Sequence, residues 1–179
     1  MIPIFSSHHS LLRSILTLEE PSEITDNSPT SIFSICQKHQ IKDLFLCEGS
    51  SYSGFIEAYK IAEKEKINLH FGQKLVCCED IEKKDEESLQ TEHKITIWAL
   101  STEGCKLLQK IYSKASINGF YYQARIDFKT LKQYWNNKHL LLTIPFYDSF
   151  IFKNLMFFNT AIVPNFGDIV VGPFFVSDV

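Results

Sequence analysis

Short apolar segments alternate with amphipathic helical segments along almost the whole chain. The apolar segments are short enough for buried strands and lie at residues 43–49, 67–78, 94–100 and 139–145. The helical segments repeat apolar side chains every three or four residues and lie at residues 31–40, 53–66, 103–116 and 128–135. This alternation predicts an α/β fold in which crossover helices join parallel strands, either barrel-like or as an open layer. Functional loops are then expected at the carboxyl ends of the strands.

Polar residues mark the expected starts of four helices. Ser10, Ser53, Thr102 and Asp127 each precede a segment with helical apolar spacing, which is the N-cap pattern. Ser10 would begin a helix over residues 10–18. Two further elements, a short helix and a final strand, are predicted at residues 148–158 and 161–164.

The helix after Ser53 has the clearest amphipathic pattern. Phe55, Tyr59 and Ala62 share one face, while Glu and Lys residues favour the other. If the apolar face packs inward, Tyr59→Ala removes a large buried side chain and costs about 3–5 kcal/mol.

Composition and charge narrow the function classes. The chain has 179 residues, of which 45% are apolar, and this suits one domain with a sizeable core. The formal net charge is −3, whereas proteins that bind nucleic acid on their own usually carry a basic surface. Contact with DNA would therefore be local or left to another part of a larger protein. The sequence has no signal-peptide pattern and no bilayer-spanning apolar run, so we expect a cytoplasmic protein without a membrane partner.

Two further sequence features bear on possible sites. The cysteines lack a paired spacing and are expected to be reduced, mostly buried thiols; they are Cys36, Cys47, Cys77, Cys78 and Cys105. Residues 79–93 are rich in charge, and we predict that they form an acidic insertion, a solvated loop or hairpin tip.

Three segments carry a resemblance that spans most of the chain. They are SLLRS at residues 10–14, LFLCEGSSYSGFIEAYKIAEKEKINLHFGQKL at 44–75, and IWALSTEGCKLLQKIYSKASINGFYYQARIDFKTLKQY at 97–134. In order and spacing they resemble the PHP domain of the bacterial DNA polymerase III alpha subunit over about residues 4–145. The resemblance implies a single PHP-like domain over residues 1–179, with a distorted (βα)7 barrel-like fold that is incomplete toward the C-terminus.

The metal-binding positions of that family are mostly replaced in this chain. The first His pair, the Asp-His pair and a later glutamate fall on Ile4, Ser6, Glu48, Gly49 and Lys74, and a later cysteine falls near Pro145 or Phe146. Isoleucine and glycine side chains cannot ligate a divalent cation, and a lysine ammonium repels one. Active PHP domains use clustered His and carboxylate side chains to hold metals that activate water. The resemblance therefore implies a degenerate site, with no cofactor and no catalytic residue in this segment.

An alternative interpretation retains a metal. His8 and His9 lie near the expected His pair, and His93 lies one residue from a family histidine. Together with Glu48 they would form a divergent phosphoesterase or exonuclease that uses Zn, Mn or Mg. For each histidine, and for His70, a surface or packing role is the competing interpretation.

The segment ARID at residues 124–127 matches the Arg-Ile-Asp of the family. We expect Arg125 to pair with a carboxylate or with backbone carbonyls, and Asp127 to cap the next helix. For the preceding Tyr121 and Tyr122, packing in a core or an interface is expected rather than stacking on bases.

Three functions stay open at this point. The first is a non-catalytic, structural and partner-docking module in DNA replication, whose parent would be a DNA-directed DNA polymerase. Its partners would be the rest of the polymerase polypeptide and the proofreading exonuclease subunit, with DNA contacted only indirectly. The second is the metal-dependent phosphoesterase. The third is a stand-alone protein that mimics the polymerase domain, although the ending GPFFVSDV lacks capping character and favours a domain cut from a longer protein.

Overall fold

The described part of the chain forms six strands and six helices in a mixed α/β structure. The computed structural model describes residues 3–10, 14–21, 23, 25, 28–49, 51–157, 161 and 163–172. These fall into two compact units, residues 1–72 and 73–179, and the division lies within the third strand. The mixed α/β class expected from the sequence is confirmed.

The first unit is built on parallel pairing. Its elements, in chain order, are β1 (Ile4–Phe5), α1 (Ile32–Lys38), β2 (Asp43–Glu48), α2 (Gly54–Glu65) and the start of β3 (Asn68–Cys78). β1 runs parallel to β2, with Ile4 opposite Phe45 and Phe5 opposite Leu46. β2 in turn hydrogen-bonds to β3. This arrangement brings the carboxyl ends of β1 and β2 to one edge, which is where a site is expected in a parallel sheet.

Local capping explains where α1 begins. Ser31 has extended backbone, and its Oγ accepts a hydrogen bond from the Ser34 N–H at 3.4 Å. The helix buries Ile32, Phe33 and Cys36. A capping side chain satisfies one of the N–H groups that the first helical turn leaves without a partner.

The predicted inward face of α2 is confirmed at Ala62 but not at Tyr59. The buried residues of the helix are Gly54, Ala58 and Ala62, whereas Tyr59 is 54% exposed. Small side chains at this i, i+4, i+8 spacing let the helix backbone approach its neighbours closely, and the ring at position 59 is left on the outside. The prediction that Tyr59 packs inward is wrong.

The predicted helix over residues 10–18 is also wrong where the structure describes it. Residues 14–16 have no regular structure, and Thr17 forms an isolated parallel bridge with Ser31; residues 11–13 lie outside the described residues. Ser10 makes tertiary hydrogen bonds, because its hydroxyl donates to the Glu48 carboxylate and accepts the Gly49 N–H. A tertiary hydrogen bond takes the group that the sequence assigned to a local one.

The second unit continues from β3 and contains the remaining elements. They are α3 (Glu86–Gln90), β4 (His93–Ala99), α4 (Thr102–Ile117), β5 (Arg125–Asp127), α5 (Phe128–Tyr134), β6 (Leu140–Thr143) and α6 (Phe150–Phe157). β4 lies beside β3, β5 pairs with β3 in parallel, and β6 pairs with β4 antiparallel. The described residues thus supply six strands, and the antiparallel pair interrupts the βα repeat, so a (βα)7 count is not reached.

Two helices of this unit begin close to the predicted positions. Asp127 caps α5 by accepting the Thr130 N–H at 2.6 Å. α4 is capped one residue earlier than predicted, by Ser101, whose Oγ accepts the Gly104 N–H at 3.1 Å. The predicted strand at residues 161–164 is wrong for its described residues 161, 163 and 164; an isolated bridge pairs Val171 with Leu142 instead.

The cysteines are free thiols, and those at positions 36, 47, 77 and 78 are buried. Burial raises the pKa of Cys78 to about 12 and raises that of Cys77 as well. A thiol with so high a pKa is neutral at physiological pH and is a poor nucleophile or metal ligand. These two residues are core side chains.

Candidate functional site

Glu48 ends β2 and is fully buried, and nearby hydrogen-bond donors engage both of its oxygens. Oε1 accepts the backbone N–H of Ser7 at 3.1 Å, and Oε2 accepts the hydroxyl of Ser10. The Ser10 hydroxyl also accepts the Gly49 N–H at 2.9 Å. A buried carboxylate is tolerated only when hydrogen bonds replace its lost hydration. Here those bonds tie the chain after β1 to the end of β2.

The residues around Glu48 supply no second carboxylate or imidazole at the positions that the family resemblance marks. Ile4 lies within β1, opposite Phe45. Ser6 uses its hydroxyl to donate to the Cys47 carbonyl at 2.6 Å. Gly49 contributes a backbone N–H and has no side chain. This edge of the first unit is therefore a network of hydroxyl and amide groups around one carboxylate.

His9 packs against the start of α2. Its Nε2 lies 3.2 Å from Glu57 Oε2, and its Nδ1 lies 3.1 Å from Ser53 Oγ. This explains why Ser53 precedes α2 without capping it through its side chain. A Cβ at position 54 would lie 2.7 Å from His9 Cδ2. The His9 ring can therefore pack here only because Gly54 has no side chain. His8 is exposed, with its ring 4.2 Å from that of His9.

His70 has partners within the first unit. Its ring stacks on Phe45 at 4.3 Å between centroids, and Nε2 lies 3.2 Å from Asp43 Oδ1. The hydrogen bond from His70 lowers the pKa of Asp43. His70 thus has a packing and pairing role at the start of β2.

In the second unit, Arg125 is the centre of a buried polar cluster. The side chain is fully buried on β5 and lies 3.1 Å from Glu92 Oε1, where the two form an ion pair. It also donates to the Gly119 carbonyl at 3.0 Å, to Ser88 Oγ at 3.2 Å and to the Lys83 carbonyl at 2.8 Å. A guanidinium offers five donors in a fixed fork, and several of them are used here. Arg125 contacts both a carboxylate and backbone carbonyls, as expected from its position.

Most of the segment at residues 79–93 is exposed, but the segment also contains a short helix and several buried residues. Asp85 caps α3 within it through a capping box with Ser88, and Ile81, Glu92 and His93 are buried. Asp127, besides capping α5, accepts the Ile81 N–H at 3.1 Å. The buried residues Ile81, Ser88 and Glu92 have partners on β5 that are more than thirty residues away in sequence, and local sequence patterns do not reveal such partners. Sequence reasoning missed Glu92 for the same reason, since nothing local separates it from the neighbouring acidic residues.

His93 is buried at the start of β4. Its ring meets Phe150 edge-on, with centroids 5.5 Å apart, and its Nδ1 has no hydrogen-bond partner among the described residues. Burial, with a smaller contribution from the nearby Lys153 ammonium, lowers the pKa of His93 to about 4. The imidazole is therefore neutral at physiological pH, and it packs on an aromatic ring.

The remaining sequence candidates also lie in the second unit. Lys74 is half-buried in β3, Pro145 is buried, and Phe146 is 42% exposed. The Tyr121 ring lies 5.1 Å from the guanidinium carbon of Arg125. Tyr122 is 79% exposed with φ of 59°, so it does not pack in the core, and packing in an interface stays a prediction for this residue.

No three His, Cys, Asp or Glu side chains of the described ranges group in a way that would hold a metal ion. A family model for the PHP domain matches residues 22–159, well over half of the chain. The chain belongs to the PHP domain family. No curated protein matches the sequence. Glu48, Lys74 and Arg125 lie within the matched part of this PHP domain, whereas β1 precedes it.

The residues of this PHP domain do not fit the metal cluster that the family resemblance implies. Of the marked positions, Glu48 alone keeps a carboxylate, and hydrogen bonds from Ser7 and Ser10 already engage it. Gly49 and Lys74 provide no anionic or imidazole ligand. In the same part of the chain, none of the described helices is long and apolar enough to cross a bilayer.

Proposed function

We propose that this PHP domain is a non-catalytic, structural and partner-docking module of a DNA polymerase III alpha-type protein. The observation that carries the proposal is the state of Glu48, whose two oxygens hold Ser7 and Ser10 in place. Each carboxylate oxygen has two lone-pair sites, so these bonds give Glu48 a structural role, and the case against a metal comes from the missing partner ligands. In this domain the same carboxylate joins two segments of the chain.

The proposal is also supported by the residue types at the positions that resemble the family's metal ligands. A water-activating metal site needs several anionic or imidazole ligands around an open position. The positions that resemble the family ligands carry Ile4, Ser6, Gly49 and Lys74, and a lysine ammonium repels a cation. Loss of metal chemistry together with retention of the fold favours a role in assembly.

The polymerase assignment rests on the three resembling segments at residues 10–14, 44–75 and 97–134. By that resemblance the partners are the remainder of a polymerase polypeptide and the proofreading exonuclease subunit. The family match itself concerns the PHP domain. The polymerase context is therefore part of the proposal.

Metal content and hydrolysis measured on one preparation test the non-catalytic role. We expect purified protein to contain no stoichiometric Zn, Mn or Fe by elemental analysis. We also expect no hydrolysis of bis(p-nitrophenyl) phosphate above that of a Glu48→Gln variant in the presence of Mn²⁺. Stoichiometric metal, together with hydrolysis that Glu48→Gln abolishes, would favour the phosphoesterase and reject the module.

Binding to the exonuclease subunit tests the docking role. We expect the chain to bind the proofreading subunit of a polymerase III enzyme in a pull-down with purified components. An Arg125→Lys variant that keeps its fold should bind equally well, because Arg125 is buried and acts inside the domain. Absence of binding by a folded chain would reject docking to this partner.

A further inference from the structure

One face of the second unit carries a row of lysines. Lys106, Lys110 and Lys114 follow one another at four-residue spacing on α4. Each step along the helix rises about 6 Å, so the three ammonium groups line one side of the helix. Lys106 and Lys110 are exposed, and Lys114 is half-buried.

The row lies in a basic stretch of an acidic protein. Residues 104–138 contain six lysines, Lys106, Lys110, Lys114, Lys129, Lys132 and Lys138. The other charged residues in the stretch are Arg125 and Asp127, and both are buried. Apart from Glu103, which lies one residue before the stretch on the same helix, the solvent-facing charge here is positive, although the whole chain has a net charge of −3.

α4 packs on α5, and a groove with a volume of about 580 Å³ runs along the lysine row. We call it the lysine groove. Its lining combines the three lysines with Gln109, Asn118 and Tyr134. The polar side chains can donate hydrogen bonds to phosphate oxygens, and the half-buried Tyr134 ring offers a face for stacking.

We propose that the lysine groove binds a single-stranded nucleic acid. A positive groove beside an aromatic ring is the combination by which proteins hold single strands without reading their sequence. The inference depends on this surface alone and is independent of the proposed role of the domain.

Other anionic partners fit the same surface less well. Lysine is depleted in protein–protein interfaces, which rely on aromatic residues and arginine. A membrane-binding helix needs an apolar face to insert, but α4 buries its apolar residues Leu108, Ile111 and Ala115 within the protein.

One lysine of the row already has a partner. Lys106 Nζ lies 3.1 Å from Glu103 Oε2, and the two side chains are 64% and 50% exposed. Exposed pairs of this kind contribute little and exchange readily. A phosphate can therefore replace Glu103 as the partner of Lys106 at small cost.

Fluorescence anisotropy with a labelled oligothymidylate tests the proposal on the full chain. At low salt we expect saturable binding, and the logarithm of the affinity should fall with the logarithm of salt concentration with a slope of about −2, as for three phosphate contacts on a single strand. A variant with Lys106→Gln, Lys110→Gln and Lys114→Gln should bind about tenfold or more weakly. Its melting temperature should stay close to that of the wild type, because the three side chains are on the surface.

A control variant with the same net charge distinguishes binding in the lysine groove from an effect of the overall charge. Three exposed lysines on other elements are replaced to give the same net charge: Lys60→Gln, Lys64→Gln and Lys84→Gln. We expect this control to bind within about twofold of the wild type. Equal weakening by the two triple variants would show a general charge effect and overturn the proposal, as would the absence of binding at low salt.

Competing ligands identify the partner class. Unlabelled oligothymidylate should displace the probe, whereas polyglutamate and vesicles with phosphatidylserine should displace it only at much higher concentration. Tighter binding of the acidic peptide, of the vesicles or of a duplex of equal length would overturn the assignment to a single strand.

Discussion

The guanidinium of Arg125 lies 3.1 Å from the carboxylate of Glu92, and the two side chains are 0% and 6% exposed. This pair fixes the segment after β3 to β5 across thirty-three positions of the chain. Glu92 also accepts the Gln123 amide at 2.9 Å, while its own carbonyl accepts the Lys153 ammonium. A mostly exposed acidic segment is thereby anchored to the interior of the second unit through Glu92.

Removal of the arginine from this pair should strongly destabilise the fold. Arg125→Met leaves Glu92 buried without its cation, and the free energy of unfolding should fall by about 3–5 kcal/mol. Urea denaturation followed by circular dichroism measures the change.

The exposed pair of Lys106 and Glu103 serves as the control, since Glu103→Gln should cost less than about 1 kcal/mol. The double variant Arg125→Met, Glu92→Met should lose less than the sum of the two single variants. A cost for Arg125→Met below about 1 kcal/mol would show that the cluster contributes little.

The phase of α2 makes a second prediction. Because Tyr59 is 54% exposed, Tyr59→Ala should cost less than about 1 kcal/mol. Leu108 is fully buried on α4, and Leu108→Ala should cost about 2–5 kcal/mol. The same denaturation experiment compares them, and a larger loss for Tyr59→Ala than for Leu108→Ala would reject the observed helix phase.

The sequence predicts elements whose determinants are local. Asp127 begins α5 as expected, because the cap and the N–H that it satisfies are three residues apart. The sequence predicts that Ser10 and Ser53 begin helices as caps. In the structure their hydroxyl groups bond to Glu48 and His9 instead, because tertiary partners compete for the same groups. Glu92 could not be singled out, since its importance comes from Arg125 on a distant strand. The replacement of the family's metal-binding residues, in contrast, can be predicted from the sequence, because it depends only on residue type.

The packing of the His9 ring against the start of α2 leads to a third prediction. Gly54→Ala places a Cβ 2.7 Å from His9 Cδ2, so the ring must move away from Ser53 and Glu57. Such overpacking should cost about 1–3 kcal/mol. In a His9→Ala background the same substitution should cost much less, because the clash is gone. Equal costs in the two backgrounds, measured as shifts in the urea midpoint, would show that His9 does not occupy this position.

Burial of His93 predicts a pH dependence of stability. Its pKa is lowered from about 6.5 to about 4, so between these values the unfolded state binds a proton that the folded state does not. Stability should therefore be complete above pH 6.5 and fall as the pH falls toward 4, with about 2 kcal/mol lost between pH 7 and 5.

A His93→Leu variant isolates this contribution. The leucine does not titrate, so the difference in unfolding free energy between wild type and variant should change by that amount over the same pH range. The carboxyls with lowered pKa, Asp43 and Asp148, titrate at lower pH in the folded state and are present in both proteins. A difference that stays constant from pH 7 to 5 would show that His93 is accessible to protons in the folded state.

Calorimetric titration with Mn²⁺ tests the central claim, that the Glu48 carboxylate holds the chain together and does not hold a metal. We predict that wild type binds Mn²⁺ no more tightly than the millimolar range and indistinguishably from Glu48→Gln. Glu48→Gln should also lower the free energy of unfolding, since Ser7 and Ser10 lose a charged acceptor. Micromolar, stoichiometric Mn²⁺ binding that disappears in Glu48→Gln would contradict the account.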